Sequence, residues 1–317
     1  MKVLFVSANR IGDAVLSTGL VEHIARTHPG GRLTIACGPA AANLFEATPH
    51  VERIIIMTKA RWSGHWLHLW RETVGHFWDL VVDLRASALA WLVPARSRRV
   101  LRRSSEPVHR LVHLAGVLGL SEPAPPHVWI ARHHREAAAA LIPGHGPVLA
   151  VGPTANWGGK QWRAERFAET VTRLTASAGI LPDARVAVLG AGPERPSAAA
   201  LLKAIPENRR IDLLGHTDLL TASACLRRCA LYLGNDSGLM HLAAASAVPT
   251  LGLFGPSRDS HYAPWGPLTA VVRTELAYEQ LVGGPGYDHR RQETLMDSLS
   301  VDKVEQAALA LWRRTRV

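Results

Sequence analysis

This 317-residue chain has little cysteine, no long apolar run and none of the common signature motifs of hydrolases or nucleotide-dependent enzymes. Its three cysteines, Cys37, Cys225 and Cys229, are too few and too scattered for a disulfide framework or a zinc site. Cys225 and Cys229 stand four apart on an expected helix and read as packing residues. No apolar run approaches the roughly 18–20 residues needed to span a bilayer. The opening MKVLFVSANRIGDA lacks the longer apolar region and small-residue cleavage pattern of a signal peptide, so it reads as a first strand and the cytoplasm is the expected compartment. The absence of a Walker lysine, a GxSxG elbow and an HExxH pair argues against an NTPase, an α/β-hydrolase and a zinc protease. GAGPER at 190–195 lacks the third glycine of a dinucleotide fingerprint, and Pro193 stands where a phosphate-binding N–H is needed, which argues against a bound dinucleotide. No cluster of metal-ligand residue types stands out, so the expected chemistry is independent of metal and cofactor.

What is present describes an ordinary globular protein with an unusual charge. Hydrophobic residues make up 47% and charged residues 20% of the chain, and the length suggests two domains. The formal charge of +10 calls for an anionic partner: nucleic acid, an acidic membrane surface or a phosphorylated substrate. Arginines cluster at Arg96, Arg98, Arg99, Arg102 and Arg103, and again at Arg313, Arg314 and Arg316. No RNA-binding or helix-turn-helix signature accompanies them, and a merely solvated arginine-rich face is the alternative.

Apolar periodicity alternates between strand and helix from end to end. Residues 2–8 read as a strand, 14–28 as a helix with Ala14, Leu16, Leu20, Val21 and Ile24 inward, and 33–37 and 53–57 as further strands. Trp62, Trp66, Leu69 and Trp70 share one face of an expected helix, as a core stripe or as a contact for sugar or lipid. Strands at 80–83 and 99–101 and helices at 87–93 and 108–118 follow. SEPAPP at 121–126 is a break that continues through an extended segment to His133, and a second break covers 144–147. The pattern then restarts with strands at 148–151, 185–189, 211–214, 231–233 and 250–254 separated by helices. The glycine-rich stretch 278–299 reads as loop, and 301–314 as a closing amphipathic helix. The predicted class is α/β, with two doubly wound, Rossmann-like domains facing a central cleft. The expected boundaries are 1–135, 146–299 and a closing helix 300–317 that packs back on the first domain, with the linker across 121–146.

The stretch 231–255, LYLGNDSGLMHLAAASAVPTLGLFG, organises the second half. An apolar strand, a polar turn, a helix and a second strand make one βαβ unit, whose turn lies where open α/β sheets bind ligands. Asn235, Asp236 and Ser237 are helix-capping types, and the N–H groups of Ser237 and Gly238 suit an anion. His241 lies one helical turn beyond Ser237 and is either packed or a ligand contact. Asp13 follows Gly12 in the first βα turn, as a first-turn carboxylate or a catalytic base. In GPTANWGGK at 152–160, a hydroxyl, an amide and the Lys160 ammonium follow a strand, a set that suits a diphosphate or a solvated loop.

These residues resemble the bacterial lipopolysaccharide heptosyltransferases of glycosyltransferase family 9. The likeness rests on RIGDAVLSTGLV, KQWRAERFAE, the LGAGPE turn, LGNDSGLMHLAAASAVPTLGLFGPS and the tail MDSLSVDKVEQAA, and covers nearly the whole chain. It departs at Arg163, where the family's KxWP pattern usually has proline. The resemblance implies the GT-B fold and an inverting transfer of a sugar, most often heptose from ADP-heptose, to a lipid A–core glycolipid at the cytoplasmic face of the inner membrane. Another nucleotide sugar, or a non-catalytic nucleotide-sugar or polyanion binder of the same fold, is the alternative. By the same resemblance Asp13 is the general base. Lys160, Ser237, Gly238 and His241 meet the donor diphosphate, Thr154 is the donor-loop hydroxyl, and Glu194 and Thr217 contact donor ribose or base. Asp236 holds backbone N–H groups or a sugar hydroxyl, and Lys59 and Arg61 bind the anionic acceptor. The +10 charge then meets a glycolipid and an anionic membrane surface, and no specific nucleic-acid partner is expected.

Overall fold

The computed structural model describes residues 1–102, 104, 106–283, 287 and 292–316. Arg103 of the first arginine cluster and residues 284–286 of the glycine-rich stretch lie outside the described residues. The chain divides into two compact units, Met1–Ala131 and Arg132–Val317.

The first unit runs β1 (Lys2–Val6), α1 (Ile11–Thr27), β2 (Arg32–Cys37), β3 (Val51–Ile56), α2 (Gly64–Thr73), β4 (Trp78–Asp83), α3 (Leu89–Leu92), β5 (Ala95–Val100) and α4 (Arg110–Leu118). All five strands are parallel, in the order β3-β2-β1-β4-β5. β1 is central and apolar, with Val3–Val6 fully buried, as a strand covered on both faces must be. α1 buries a broad stripe from Ala14 to Ile24, and Gly30, at φ 82°, turns the chain into β2. The proline-rich 121–126 stretch is packed rather than free. The His127 N–H donates to Thr18 Oγ1 at 3.0 Å, and a Cβ at Gly19 of α1 would strike the Ala124 and Pro125 carbonyl oxygens.

The second unit runs α5 (Arg132–Leu141), β6 (Val148–Gly152), α6 (Ala164–Thr175), β7 (Arg185–Val188), α7 (Ala199–Ala204), β8 (Arg210–Asp212), α8 (Leu219–Leu226), β9 (Leu231–Asn235), α9 (Gly238–Ala245), β10 (Thr250–Phe254), α10 (Asp259–Tyr262), β11 (Thr269–Arg273), α11 (Tyr278–Val282) and α12 (Val301–Thr315). Its six strands are parallel, in the order β11-β10-β9-β6-β7-β8.

Three details differ from the sequence reading. The extended segment expected up to His133 gives way to α5, whose RHHREAAAAL sequence is polar except for alanines that carry helix propensity without an obvious apolar stripe. α5 packs on α8 and buries His134 and Ala138, so residues assigned to the linker start the second unit. The closing helix α12, expected to pack back on the first domain, is part of the second unit. It packs on α6, β10 and β11, and its Val304, Ala308, Leu311 and Trp312 join the second unit's core. The tryptophan stripe is only partly core: Leu69 is buried and Trp66 and Trp70 pack against the core edge, whereas Trp62 is 94% exposed.

Candidate active site

In each unit the sheet grows outward in both directions from its first strand. The point where the direction reverses lies between β1 and β4 in the first unit and between β6 and β9 in the second. The crevice beyond the carboxyl ends of such a strand pair is where open α/β sheets take ligands.

At the first unit's reversal point Asp13 is the third residue of α1, about one-fifth exposed. It is not the helix cap; Arg10 holds that position and makes no side-chain capping bond. Its Oδ1 lies 3.6 Å from Nε of Arg110, at the start of α4, and Arg110 Nη1 is 3.1 Å from His113 Nδ1. Beyond β4, Arg85 is half-buried: Nη1 donates to Asn9 Oδ1 at 3.1 Å and the guanidinium lies 4.6 Å over the Trp66 ring. Burial lowers the Arg85 pKa despite Asp83 nearby. Asp83 is fully buried and spent on its own turn, accepting from the Arg85 and Ser87 N–H groups at 2.8 Å each. Lys59 and Arg61 follow β3, exposed, and among the described residues no ion pair or hydrogen bond joins them to the Asp13 pair.

At the second unit's reversal point the loop after β6 meets the turn after β9. Lys160 Nζ lies 2.5 Å from Asp236 Oδ2, the carboxylate being 7% and the ammonium 25% exposed. Asn235 ties the same two loops together: its Nδ2 donates to the Pro153 carbonyl at 2.7 Å and its Oδ1 accepts the Trp162 N–H at 3.1 Å. Trp162 anchors the lysine loop in the core, its Nε1 donating to the Leu299 carbonyl at 3.0 Å. Thr154, 2% exposed, donates to Glu194 Oε2 at 2.7 Å, and Glu194 also accepts the Ala191 N–H at 2.8 Å. A Cβ at Gly190 would meet Leu214 Cδ2 at 2.5 Å and Thr154 Oγ1 at 3.0 Å, so the glycine lets the two loops close on each other. Ser237 is the N-cap of α9 without a side-chain capping bond, and Gly238 is the first helical residue. The first-turn N–H groups of α9 are therefore left without intrahelical partners, as at any helix start. His241 is buried one turn along α9. Beneath the turn lies Tyr232, fully buried, its ring and hydroxyl filling the space that Cβ atoms at Gly152 and Gly234 would claim. Burial pushes the Tyr232 hydroxyl pKa up, so the group stays protonated.

The structure thus gathers Thr154, Lys160, Glu194, Asp236, Ser237, Gly238 and His241 on the loops and the start of α9 around one switch point. Thr217 lies half-buried on the loop before α8, and among the described residues no hydrogen bond links it to that group. Of the two roles expected of Asp236, the backbone one falls to Asn235, and the Asp236 carboxylate pairs with Lys160. The capping role expected of residues 235–237 is likewise not made by their side chains. Sequence reading passed over Arg110, Arg85 and the bridging role of Asn235. For Asn235 the signal was its place in GNDSG; the two arginines carry no local signal, because their partners are remote in sequence.

The family model for "Glycosyltransferase family 9 (heptosyltransferase)" matches residues 82–282. The chain belongs to glycosyltransferase family 9. This family member is 23% identical to lipooligosaccharide heptosyltransferase 2 of Haemophilus influenzae, over 86% of this chain and 88% of that protein. Its fold matches a glycosyl transferase family 9 structure from Veillonella parvula (TM-score 0.82, 20% identity, covering 98% and 97% of the two chains). It also matches the E. coli ADP-heptose lipopolysaccharide heptosyltransferase II (TM-score 0.76, 19% identity, all of both chains). With its two Rossmann-like units, the glycosyltransferase has the GT-B fold.

Proposed function

We propose that this glycosyltransferase moves a heptose from ADP-heptose onto a lipopolysaccharide core glycolipid, with inversion at the anomeric carbon. The observation that carries the reading is the Lys160–Asp236 pair beside the open N-terminus of α9, a fixed arrangement of cation and N–H donors at the second sheet's switch point. In the reaction Asp13 takes the proton of the acceptor hydroxyl as its oxygen attacks the anomeric carbon. The bond to the donor phosphate breaks on the opposite face, and ADP leaves with that electron pair. Lys160, the Ser237 and Gly238 N–H groups and His241 meet the charge growing on the diphosphate. Thr154 and Glu194 line the donor side, with Thr217 toward ribose or base. A second carboxylate acid is unnecessary because a nucleoside diphosphate leaves without protonation, unlike the sugar alcohol in glycoside hydrolysis.

Lys59 and Arg61 are assigned to the acceptor's phosphates or carboxylates, and the enzyme to the cytoplasmic face of the inner membrane. Among the described residues no helix is long and apolar enough to cross a membrane, so contact with the bilayer is peripheral in this reading. A thermal-shift panel of nucleotide sugars and free nucleotides, followed by transfer assays, tests it. ADP-heptose raising the midpoint most, with product formed, supports the reading. A larger shift from another nucleotide sugar reassigns the donor, and tight donor binding without transfer makes the protein a binder.

A further inference from the structure

Five of the ten tryptophans fall between residues 62 and 91; Trp78 is buried in β4, while Trp62, Trp66, Trp70 and Trp91 lie along a ridge of α2, α3 and the turn before α2 that the fold does not close. α2 and α3 pack together through Leu69, Leu89 and Ala90, and Trp70 Nε1 donates to the Leu92 carbonyl at 3.1 Å. The opposite side of the ridge is apolar and exposed: Trp62 at 94%, Trp91 at 68%, Leu92 at 60% and Leu67 at 49%. Phe77, 60% exposed, belongs to the same end of the ridge, since the N–H of Trp78 donates to the Pro94 carbonyl just past α3. Trp62 is held outward by backbone that side chains rarely adopt, with φ 54° at Trp62 and 58° at Ser63 in succession. Arg98 lies 5.7 Å from the Trp91 ring centroid and hydrogen-bonds the carbonyls of Ala90, Val93 and Ala95, which fixes how α3 is presented.

The charge around the ridge is mainly cationic. Lys59, Arg61, Arg71 and Arg96 are exposed, and among the described residues none forms an ion pair. Of the nearby carboxylates, Glu72 pairs with Arg53 and Asp83 is spent within its turn, while Asp79 accepts the Lys2 N–H and keeps its charge. Protruding indoles and aliphatics fringed by unpaired cations match a bilayer interface, where aromatic rings sit at headgroup depth and arginine and lysine meet lipid phosphates.

We infer that the α2–α3 ridge docks the enzyme on an anionic membrane surface, inserting Trp62, Trp91 and Leu92 at headgroup level. The inference deepens the peripheral contact proposed above and rests on that reading for its place in the reaction. It concerns anchoring, so the chemistry on a soluble acceptor is independent of it.

The test is flotation of the full chain with vesicles of neutral phosphatidylcholine, or with about 30% phosphatidylglycerol. It compares the wild type, a Trp62→Ser/Trp91→Ser/Leu92→Ser variant and an Arg71→Glu/Arg96→Glu variant, with a deacylated acceptor assayed alongside. The wild type is expected to float with anionic vesicles at least about tenfold better than with neutral ones, and each variant to lose about tenfold. Transfer to the deacylated acceptor is expected to stay unchanged, with an unaltered thermal midpoint showing that the variants fold. Wild-type protein that stays unbound, or variants that float as well as wild type, would overturn the inference. Self-association that the tryptophan variant abolishes, without vesicle binding, would assign the ridge to a second copy and overturn it equally. Failure of transfer with vesicle binding intact would instead count against the proposed reaction.

Discussion

Replacing Lys160 by alanine strands Asp236, whose side chain is 7% exposed, without its cation. Removing one partner of a buried pair is costly, here about 2–3 kcal/mol because Lys160 keeps some contact with water. Lys160→Ala is therefore expected to lower both the unfolding free energy and the affinity for ADP. Lys160→Met/Asp236→Asn is expected to recover the stability and leave the affinity low. Denaturant titration and calorimetric binding on the same samples separate the two; recovery of both would remove Lys160 from the donor site. Asp13→Asn is expected to leave ADP binding intact and to reduce kcat about 10²–10⁴-fold, the range for removing a general base. Transfer at wild-type rate would end that assignment. Gly152→Ala has a different target. Its Cβ would strike the Tyr232 hydroxyl in a closed core, so a loss of about 1–3 kcal/mol is expected in denaturant titration, with relief when Tyr232→Phe is added.

At the scale of elements, Arg163 shows how a position can be read correctly as a helix start and still hide its role. It is the N-cap of α6, and its guanidinium grips both oxygens of Asp297 at 2.6 and 2.7 Å, tying α6 to the segment before α12. The hydrogen bond from Arg163 holds the Asp297 carboxyl below its ordinary range. A depressed carboxylate stabilises the fold fully above its unfolded pKa, near 3.9, and the contribution disappears as pH falls through the folded value. The melting-temperature gap between wild type and Arg163→Ala is thus expected at neutral pH and should close below about pH 4. A gap independent of pH would assign the effect to packing. For α12, Leu311 is 2% exposed in the second unit's core, and Leu311→Ala is expected to cost about 2–5 kcal/mol. The helix itself was legible from its apolar spacing, but not the surface it covers, because an amphipathic stripe specifies only that some apolar face receives it. α5 was not legible at all: with alanines where a stripe would be, its direction in space is set by α8.

For the molecule as a whole, the charge of +10 argued for an anionic partner, and the structure gives the cations distinct uses. Lys160, Arg163 and Arg195 are committed to Asp236, Asp297 and Asp212, whereas the α2–α3 ridge keeps unpaired ones. If the protein's own cations and N–H groups suffice for the departing diphosphate, excess EDTA is expected to leave the transfer rate unchanged, and a loss restored by a divalent ion would refute that.

Residue order alone determined the alternation of strand and helix, two α/β halves and the placement of Asp13 and GNDSG where a buried strand gives way to a helix. These are local properties, carried by side-chain period and turn chemistry within a few residues. Only the tertiary structure decided which strands stand side by side, and hence that the β1 and β6 loops lie at switch points. It alone brought Lys160 to Asp236 across 76 residues of chain, set Arg110 beside Asp13, and left Trp62 and Trp91 outside the core. The physical reason is that an apolar face or a charge can be satisfied by many partners, and the choice among them depends on long-range packing that no short stretch encodes.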